Sequence, residues 1–498
     1  MAVLAVQWTL NKLSHFAIAG IGPPLISESL GEAEPMALGS RFSLALLALS
    51  LSWLPAPVGA EPADQPKPAK QLKVMETPRG LLEAATFGEM LGLPDWMAMS
   101  LSLVNQPMGN ITGSKQRTFR SIDMQAIDWS LGSGLSKEDS DKDEFDRWSF
   151  RSSLATYIGV PPYFSEDIGA AFPLQALEDT EGLQQGFWLQ GLWLQRDSEN
   201  LSLKFGNNLS LDPLVESPVY NAYVNSTINS TLNLSLPGYP TVPFSSLGAS
   251  LQWRANDRLT VNYGGYQLSN QRTGFPAGRW KGWRFNLDRD DGFVQALRLD
   301  WALSETSGEP LLICMSQEHP DVVVRHHQGC KRPMRLENKL PDPVLQLGAV
   351  SGSWRFPQIN NPSRWENRAN SIFASATLPV PFALGHGSRL WGSAVIGTEP
   401  AINPVPLFLE GGWITQGVIR QRPFDSVVLG LTRSSFSPSL GRASGQRMTY
   451  EGMIELGYIL QLSQELALQP GVQVIVNPEG TGDNETLVVP GLQVSFNW

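Results

Sequence analysis

Five basic residues, Arg147, Arg151, Lys204, Arg254 and Arg298, fall on the polar face of segments whose side chains alternate between apolar and polar. A long connection rich in Asn, Ser and Tyr, from Ser210 to Ser245, carries Asp212, Glu216, Tyr220, Tyr223 and Tyr239. Acid facing base across a narrow channel of low dielectric sets up a transverse field. It also supplies fixed donors and acceptors that replace water around a polar solute. Tyrosine faces add stacking for a sugar ring. The candidate pore-lining and substrate-binding set is therefore Arg147, Arg151, Lys204, Asp212, Glu216, Tyr220, Tyr223, Arg254 and Arg298, with the scattered charges of any wet interior as the simpler account of each. A connection this long is usually functional. It reads either as a loop folded into a wide lumen to narrow it, or as a solvated surface loop.

No catalytic constellation emerges. The five histidines, His15, His319, His326, His327 and His386, belong to no HExxH motif, and neither a GxSxG nucleophile elbow nor a phosphate-binding glycine loop is present. No enzyme activity, cofactor or metal is expected. Cys314 and Cys330, the two cysteines, predict one disulfide in an exported chain. Three of the histidines lie between or beside them, which leaves a Cys and His zinc site as the alternative, at a spacing that fits no familiar finger. The run Arg279 to Arg284 interleaves Arg and Lys with Trp280 and Trp283, as a contact for lipopolysaccharide phosphate, a solute-gathering vestibule or an interfacial aromatic girdle would.

The elements that must position these residues are strands. At the C-terminus Leu492, Val494, Phe496 and Trp498 alternate with Gly491, Gln493, Ser495 and Asn497 up to the last residue. With a side-chain period of two, one face of such a strand meets lipid and the other a lumen, and the final aromatic sits at the membrane interface. The same pattern recurs where Ile454, Leu456 and Tyr458 oppose Glu451 and Glu455, and where Val472, Val474 and Val476 oppose Gln469 and Gln473. Sixteen strands are predicted, near residues 96–106, 118–131, 147–158, 186–195, 201–209, 246–255, 259–269, 293–303, 345–356, 368–377, 389–398, 411–420, 427–436, 450–462, 466–477 and 487–498; those near 345, 389 and 411 alternate poorly. An even number is what a single-chain bacterial barrel requires.

Residues 36–60 read as a secretory signal peptide, with Arg41, an apolar run from Phe42 to Leu54 and a small-residue site at Val58, Gly59 and Ala60. That run is too short to cross about 30 Å of hydrocarbon as a helix. Residues 1–35 are an unexplained extension, either a mis-assigned start or a real one. Residues 61–95 read as a periplasmic tether with a short helix within Arg79 to Leu93, and residues 96–498 as the barrel. A mean hydropathy of −0.14 fits strands rather than apolar helices, the 16 Trp and 46 Gly suit aromatic girdles and tight turns, and a net charge of −10 argues against nucleic acid. With the C-terminus in the periplasm, residues 304–344 fall on the periplasmic side, as an unusual insertion or through a strand parity off by one.

The chain resembles the carbohydrate-selective outer-membrane porins, the OprB-like family. The resemblance is carried by GNITG (109–113), GFWLQGLW (186–193), LSLKFG (201–206), PFSSLG (243–248), LQLGAV (345–350) and LALQPGVQVIVNP (466–478), and spans about residues 80–498. It implies an all-β transmembrane antiparallel barrel of sixteen strands with an inserted constriction loop, residing in the bacterial outer membrane. It implies passive diffusion of small hydrophilic solutes, sugars foremost, with a general or ion-selective porin as the alternative and an adhesive barrel without an open pore as the more distant one. The expected partners are those solutes, outer-membrane lipid and lipopolysaccharide, the barrel-assembly machinery acting through the C-terminal strand, and two further copies in a homotrimer. The chain departs from the family pattern in the 304–344 insertion and around Val160 to Gln184.

Overall fold

The computed structural model describes residues 74–78, 87–112, 115–132, 147–158, 164–175, 177, 187–208, 212–229, 245–268, 283, 285–304, 310–315, 323–324, 333–380 and 384–498. The signal-like segment, the N-terminal extension, Tyr239, Cys330 and the expected disulfide lie outside these residues. In chain order the strands are β1 (Val74–Met75), β2 (Met97–Gly109), β3 (Phe119–Gly132), β4 (Arg147–Ile158), β5 (Phe187–Asp197), β6 (Leu201–Asn208), β7 (Ser246–Arg254), β8 (Leu259–Leu268), β9 (Gly292–Ala302), β10 (Leu311–Met315), β11 (Val323–Val324), β12 (Pro333–Leu336), β13 (Val344–Gln358), β14 (Asn361–Pro379), β15 (Gly387–Gly397), β16 (Leu407–Gln416), β17 (Ser426–Ser435), β18 (Tyr450–Gln461), β19 (Leu466–Val476) and β20 (Leu487–Asn497).

Sixteen of these close into one antiparallel barrel in which β20 pairs with β2 and β9 with β13. Closure leaves no unpaired edge, the condition a sheet must meet in lipid, where water cannot satisfy a free N–H or C=O. The seam is sealed by the last residue: Leu101 N donates to Trp498 O and Trp498 N to Leu101 O, each at 2.9 Å. The Trp498 ring rests 5.1 Å from that of Phe87, in the short helix α1 (Phe87–Met90). Of the expected helix within Arg79 to Leu93, α1 is the portion observed, and residues 79–86 are not described.

Alternation assigns the faces. Leu345, Leu347, Ile372, Leu390, Ile396, Leu409, Leu431 and Leu456 are exposed and point outward, whereas their strand neighbours Gln346, Phe373, Trp391, Val395, Phe408, Val428 and Glu455 are buried inside the barrel. All sixteen expected barrel strands are present. The largest departures are β14, which begins at Asn361 rather than near 368, and β16, which is shifted as a whole to Leu407–Gln416 from 411–420.

Strand parity holds through the insertion. The segment between β9 and β13 leaves and rejoins the barrel at the end that carries the C-terminus, and it contributes β10, β11 and β12 to a separate four-stranded sheet of order β1, β12, β10, β11. Cys314 lies in β10. The N-terminal strand β1 joins in parallel, Val74 opposite Arg335. This sheet is fastened to the barrel by Gln416, whose Nε2 donates to Glu337 O and whose Oε1 accepts from Lys339 N, both at 2.9 Å, and by Arg389 Nε donating to Pro341 O at 2.8 Å.

Candidate functional site

A sixteen-stranded barrel is too wide for wall side chains alone to fill. Two connections turn inward from the end opposite the C-terminus and occupy it. The first follows β4 and contains α2 (Phe164–Ile168); Phe164, Ile168, Ala170, Phe172, Leu174 and Gln175 are all buried. The second follows β6 and contains α3 (Asp212–Val215), a 3-10 turn (Pro218–Ala222) and α4 (Ser226–Asn229). The expectation of an inserted loop therefore holds for the described part of Ser210 to Ser245. That the connection after β4 is inserted as well was not foreseen, although its apolar residues Phe164, Ile168, Phe172 and Leu174 were a readable signal.

The second connection crosses the lumen. Near its start Leu214 lies against β8, at Gly264, where a Cβ would collide with Leu214 Cδ1. On the opposite wall Tyr220 and Tyr223 pack edge-on against Trp391 at 5.5 and 5.4 Å. Trp391 Nε1 donates to Tyr223 Oη at 2.7 Å, and Tyr223 Oη donates to Leu429 O at 3.1 Å. The wall is cut back to receive these side chains: a Cβ on Gly412 would stand 2.7 Å from Tyr223 Oη, and one on Gly430 would collide with Ile228 Cδ1. Tyr220 is 0% and Tyr223 1% exposed. This corrects the sequence-based assignment of the two tyrosines to the pore lining. With both ring faces covered they cannot stack on a solute, and they anchor the loop instead.

The polar contacts of the loop also invert the expected arrangement. Among the described contacts, backbone donors of the loop meet acids of the wall. Val224 N and Asn225 N each donate at 2.8 Å to one oxygen of Glu455 in β18. Asn225 Nδ2 donates to Gln473 Oε1 at 2.7 Å, and Gln469 Nε2 to Ala222 O at 2.9 Å. Asn225 Oδ1 accepts from Thr227 N at 2.8 Å, an Asx cap that turns the chain into α4. The first connection is held in the same way, with Ala171 N donating at 2.8 Å to Glu451 and Leu174 O accepting from Gln473 Nε2 at 3.1 Å. Glu451, Glu455, Gln469 and Gln473 were legible as a polar face but not as holders of loops.

Of the basic residues, Arg151 and Lys204 share a patch on the facing wall. Arg151 stands opposite Trp193 in register and Lys204 opposite Gln195. Arg151 Nη2 lies 3.8 Å from Asp197 Oδ2, and Lys204 Nζ 5.8 Å from the centre of the partly exposed Trp193 ring. Asp197 also accepts from Gln195 Nε2 at 2.8 Å and from Ser202 Oγ at 2.6 Å. Arg147 begins β4 and Arg254 ends β7, so both stand at the rim on the C-terminal end, about 13 Å below Arg151 at roughly 3.3 Å per residue.

Arg298 is buried and pairs within its own strand. Its Nη2 donates to Asp300 Oδ2 at 2.8 Å, and its Nε makes a 2.7 Å ion-pair contact with Asp300 Oδ1 without hydrogen-bond alignment. Asp300 further accepts from Asn262 Nδ2 at 2.8 Å and Gln346 Nε2 at 3.0 Å. Arg298 Nη1 also donates to the backbone oxygen of Glu216 in the loop, at 2.8 Å. Asp300, two positions away on the same strand face, is the acid that Arg298 meets. Asp212 starts α3.

A protein-family model described as "Carbohydrate-selective porin, OprB family" matches residues 163–498. Among solved structures, Pseudomonas putida OprB at high pH superposes with a TM-score of 0.63 at 17% identity, covering 82% of this chain and 96% of that one. Salmonella typhi OmpF in complex with daunomycin gives a TM-score of 0.46 at 9% identity, covering 81% of this chain and 97% of that one. No curated protein matches.

Proposed function

The chain belongs to the OprB family of carbohydrate-selective porins, and from that premise we propose that it admits small hydrophilic solutes, sugars foremost, along the wall formed by β4, β5 and β6. The observation that carries this reading is the loop from Asp212 to Asn229, which crosses the closed barrel and packs on β15 to β19, leaving Arg151, Trp193, Asp197 and Lys204 facing it. On that path an indole face offers stacking to a sugar ring, while Arg151, Lys204, Gln195 and Asp197 exchange hydrogen bonds with its hydroxyls as water is shed. Arg147 and Arg254 form the outlet, and Arg298 stiffens the root of the loop rather than touching the solute. Asp212 and Glu216 remain candidate lining residues at the head of the loop.

The membrane is the bacterial outer membrane on this reading, with residues 36–60 as the signal peptide, the terminal strand as the handle for the barrel-assembly machinery, lipopolysaccharide around the loop end and a homotrimer as the assembled form. Single-channel recording tests the function. Removing residues 212–229 should raise conductance and abolish the difference between sugars in blocking it. An assembled variant with the wild-type conductance and block would place the constriction elsewhere.

A further inference from the structure

Both inward loops are held by one strand. Glu451 and Glu455 lie four residues apart on the lumen face of β18, and each accepts two backbone N–H groups. Glu455 takes Val224 N and Asn225 N on its two separate oxygens, both at 2.8 Å. Glu451 takes Ala171 N at 2.8 Å and Glu479 N at 2.7 Å on the same oxygen. A carboxylate is the side chain suited to this task because it is acceptor-only at both oxygens. Buried hydrogen bonds to a charged group are also the strong ones. A carboxylic acid is not equivalent: one oxygen then carries a proton and turns a donor toward an N–H.

We propose that Glu451 and Glu455 are positioning residues that set the bore of the pore, and that protonation of Glu455 releases the 212–229 loop and widens it. The chemistry is a proton taken up from the lumen water by one Glu455 oxygen, which costs the bond from either Val224 N or Asn225 N. Nothing nearby holds the carboxylate in its charged form by ion pairing, since among the described residues no Lys or Arg forms a salt bridge with Glu455. The groups that face it are Gln473 from β19, Tyr223 from the loop and, beyond that phenol, Glu410 from β16; on its own strand Glu451 is the nearest acid. The other anchors of the loop tip, Tyr223 on Trp391, Asn225 on Gln473 and Gln469 on the Ala222 carbonyl, do not titrate in this range, so the release is confined to the bonds made by Val224 N and Asn225 N.

This inference rests on the reading that the loop narrows an open pore, and the experiment separates the two. Purified mature protein in planar bilayers is probed with neutral polyethylene glycols of graded size, whose exclusion limit reports bore independently of charge. Between neutral pH and about pH 4, where a carboxyl titrates, the exclusion limit of the wild type should rise reversibly. Glu455→Gln, which presents one acceptor and one donor as the acid does, should show the larger limit at both pH values and no further response. Glu455→Asp should retain the response. A channel whose limit is the same across that range overturns the latch whether or not Glu455→Gln assembles. No channel at any pH overturns the pore reading, and the latch with it.

Discussion

Tyr223 and Trp391, separated by 168 residues, meet with the indole Nε1 donating to the phenol oxygen at 2.7 Å inside the barrel. The same phenol donates to Leu429 O at 3.1 Å. Tyr223→Phe leaves a buried indole N–H without its acceptor, a cost of about 1–3 kcal/mol. The variant should lose its heat-resistant form on gels at a lower temperature than the wild type and show noisier, larger conductance steps.

The wall glycines make a complementary test from the other side. A Cβ at Gly430 would collide with Ile228 Cδ1 and come within 2.8 Å of Tyr223 Cε1. Because residue 430 faces the lumen, Gly430→Val should leave assembly intact and raise conductance by displacing the loop. Wild-type conductance would mean that the loop does not need this wall.

Charge at the facing patch should set ion preference. Reversing Arg147 and Arg151 to Glu should move the reversal potential from anions toward cations, with Arg151 giving the larger share because it stands deeper than the rim. The effect should be measured at low salt, since at 0.1 M exposed charges are screened beyond about 10 Å. In the same recordings Trp193→Ala should weaken sugar block while leaving the reversal potential near its wild-type value.

The sheet at the C-terminal end should respond to acid. Burial pushes the Glu337 carboxyl upward, but Lys339 and the Thr77 hydrogen bonds outweigh it and hold it below the usual range. Its Oε2 accepts from Thr77 N and Thr77 Oγ1, both at 2.8 Å. A depressed carboxyl contributes stability that is present above the ordinary glutamate pKa and lost as pH falls through the lower folded value. Protection of the amides of residues 74–77 against exchange, taken relative to the intrinsic rate at each pH, should therefore be high at neutral pH and fall only in that acid range, and in Glu337→Gln it should be low throughout.

Closure at the seam predicts dependence on the last three residues. Deleting Phe496 to Trp498 removes the reciprocal bonds between Leu101 and Trp498 and the register pair of Leu103 with Phe496. It should leave no heat-modifiable barrel. Folded, surface-exposed protein after this deletion would show that the seam closes without them.

The strands were legible because lipid on one side and water on the other impose a period of two, which residues such as Ile454 and Glu455 obey. Where alternation faded, near 389 and 411, the structure supplies the reason. Trp391, Val395, Phe408 and Ile414 are lumen-facing yet apolar, because there the lumen side touches a loop instead of water. Loss of the pattern was itself the mark of the docking wall. The destination of the loop was not legible, since it depends on Gly412, Gly430 and Trp391, which lie far along the chain from Tyr223. The tyrosines read as solute contacts because a ring suited to stacking on sugar is equally suited to burial, and only the partner decides between them.

Gln473 accepts from Asn225 of one inward loop and donates to Leu174 of the other. A single amide thus serves as the common bearing of two segments that enter from the same end of the barrel but from different strands. Displacing either one turns or strips that amide for its neighbour, so the aperture belongs to the pair and its width is not a sum of two independent settings.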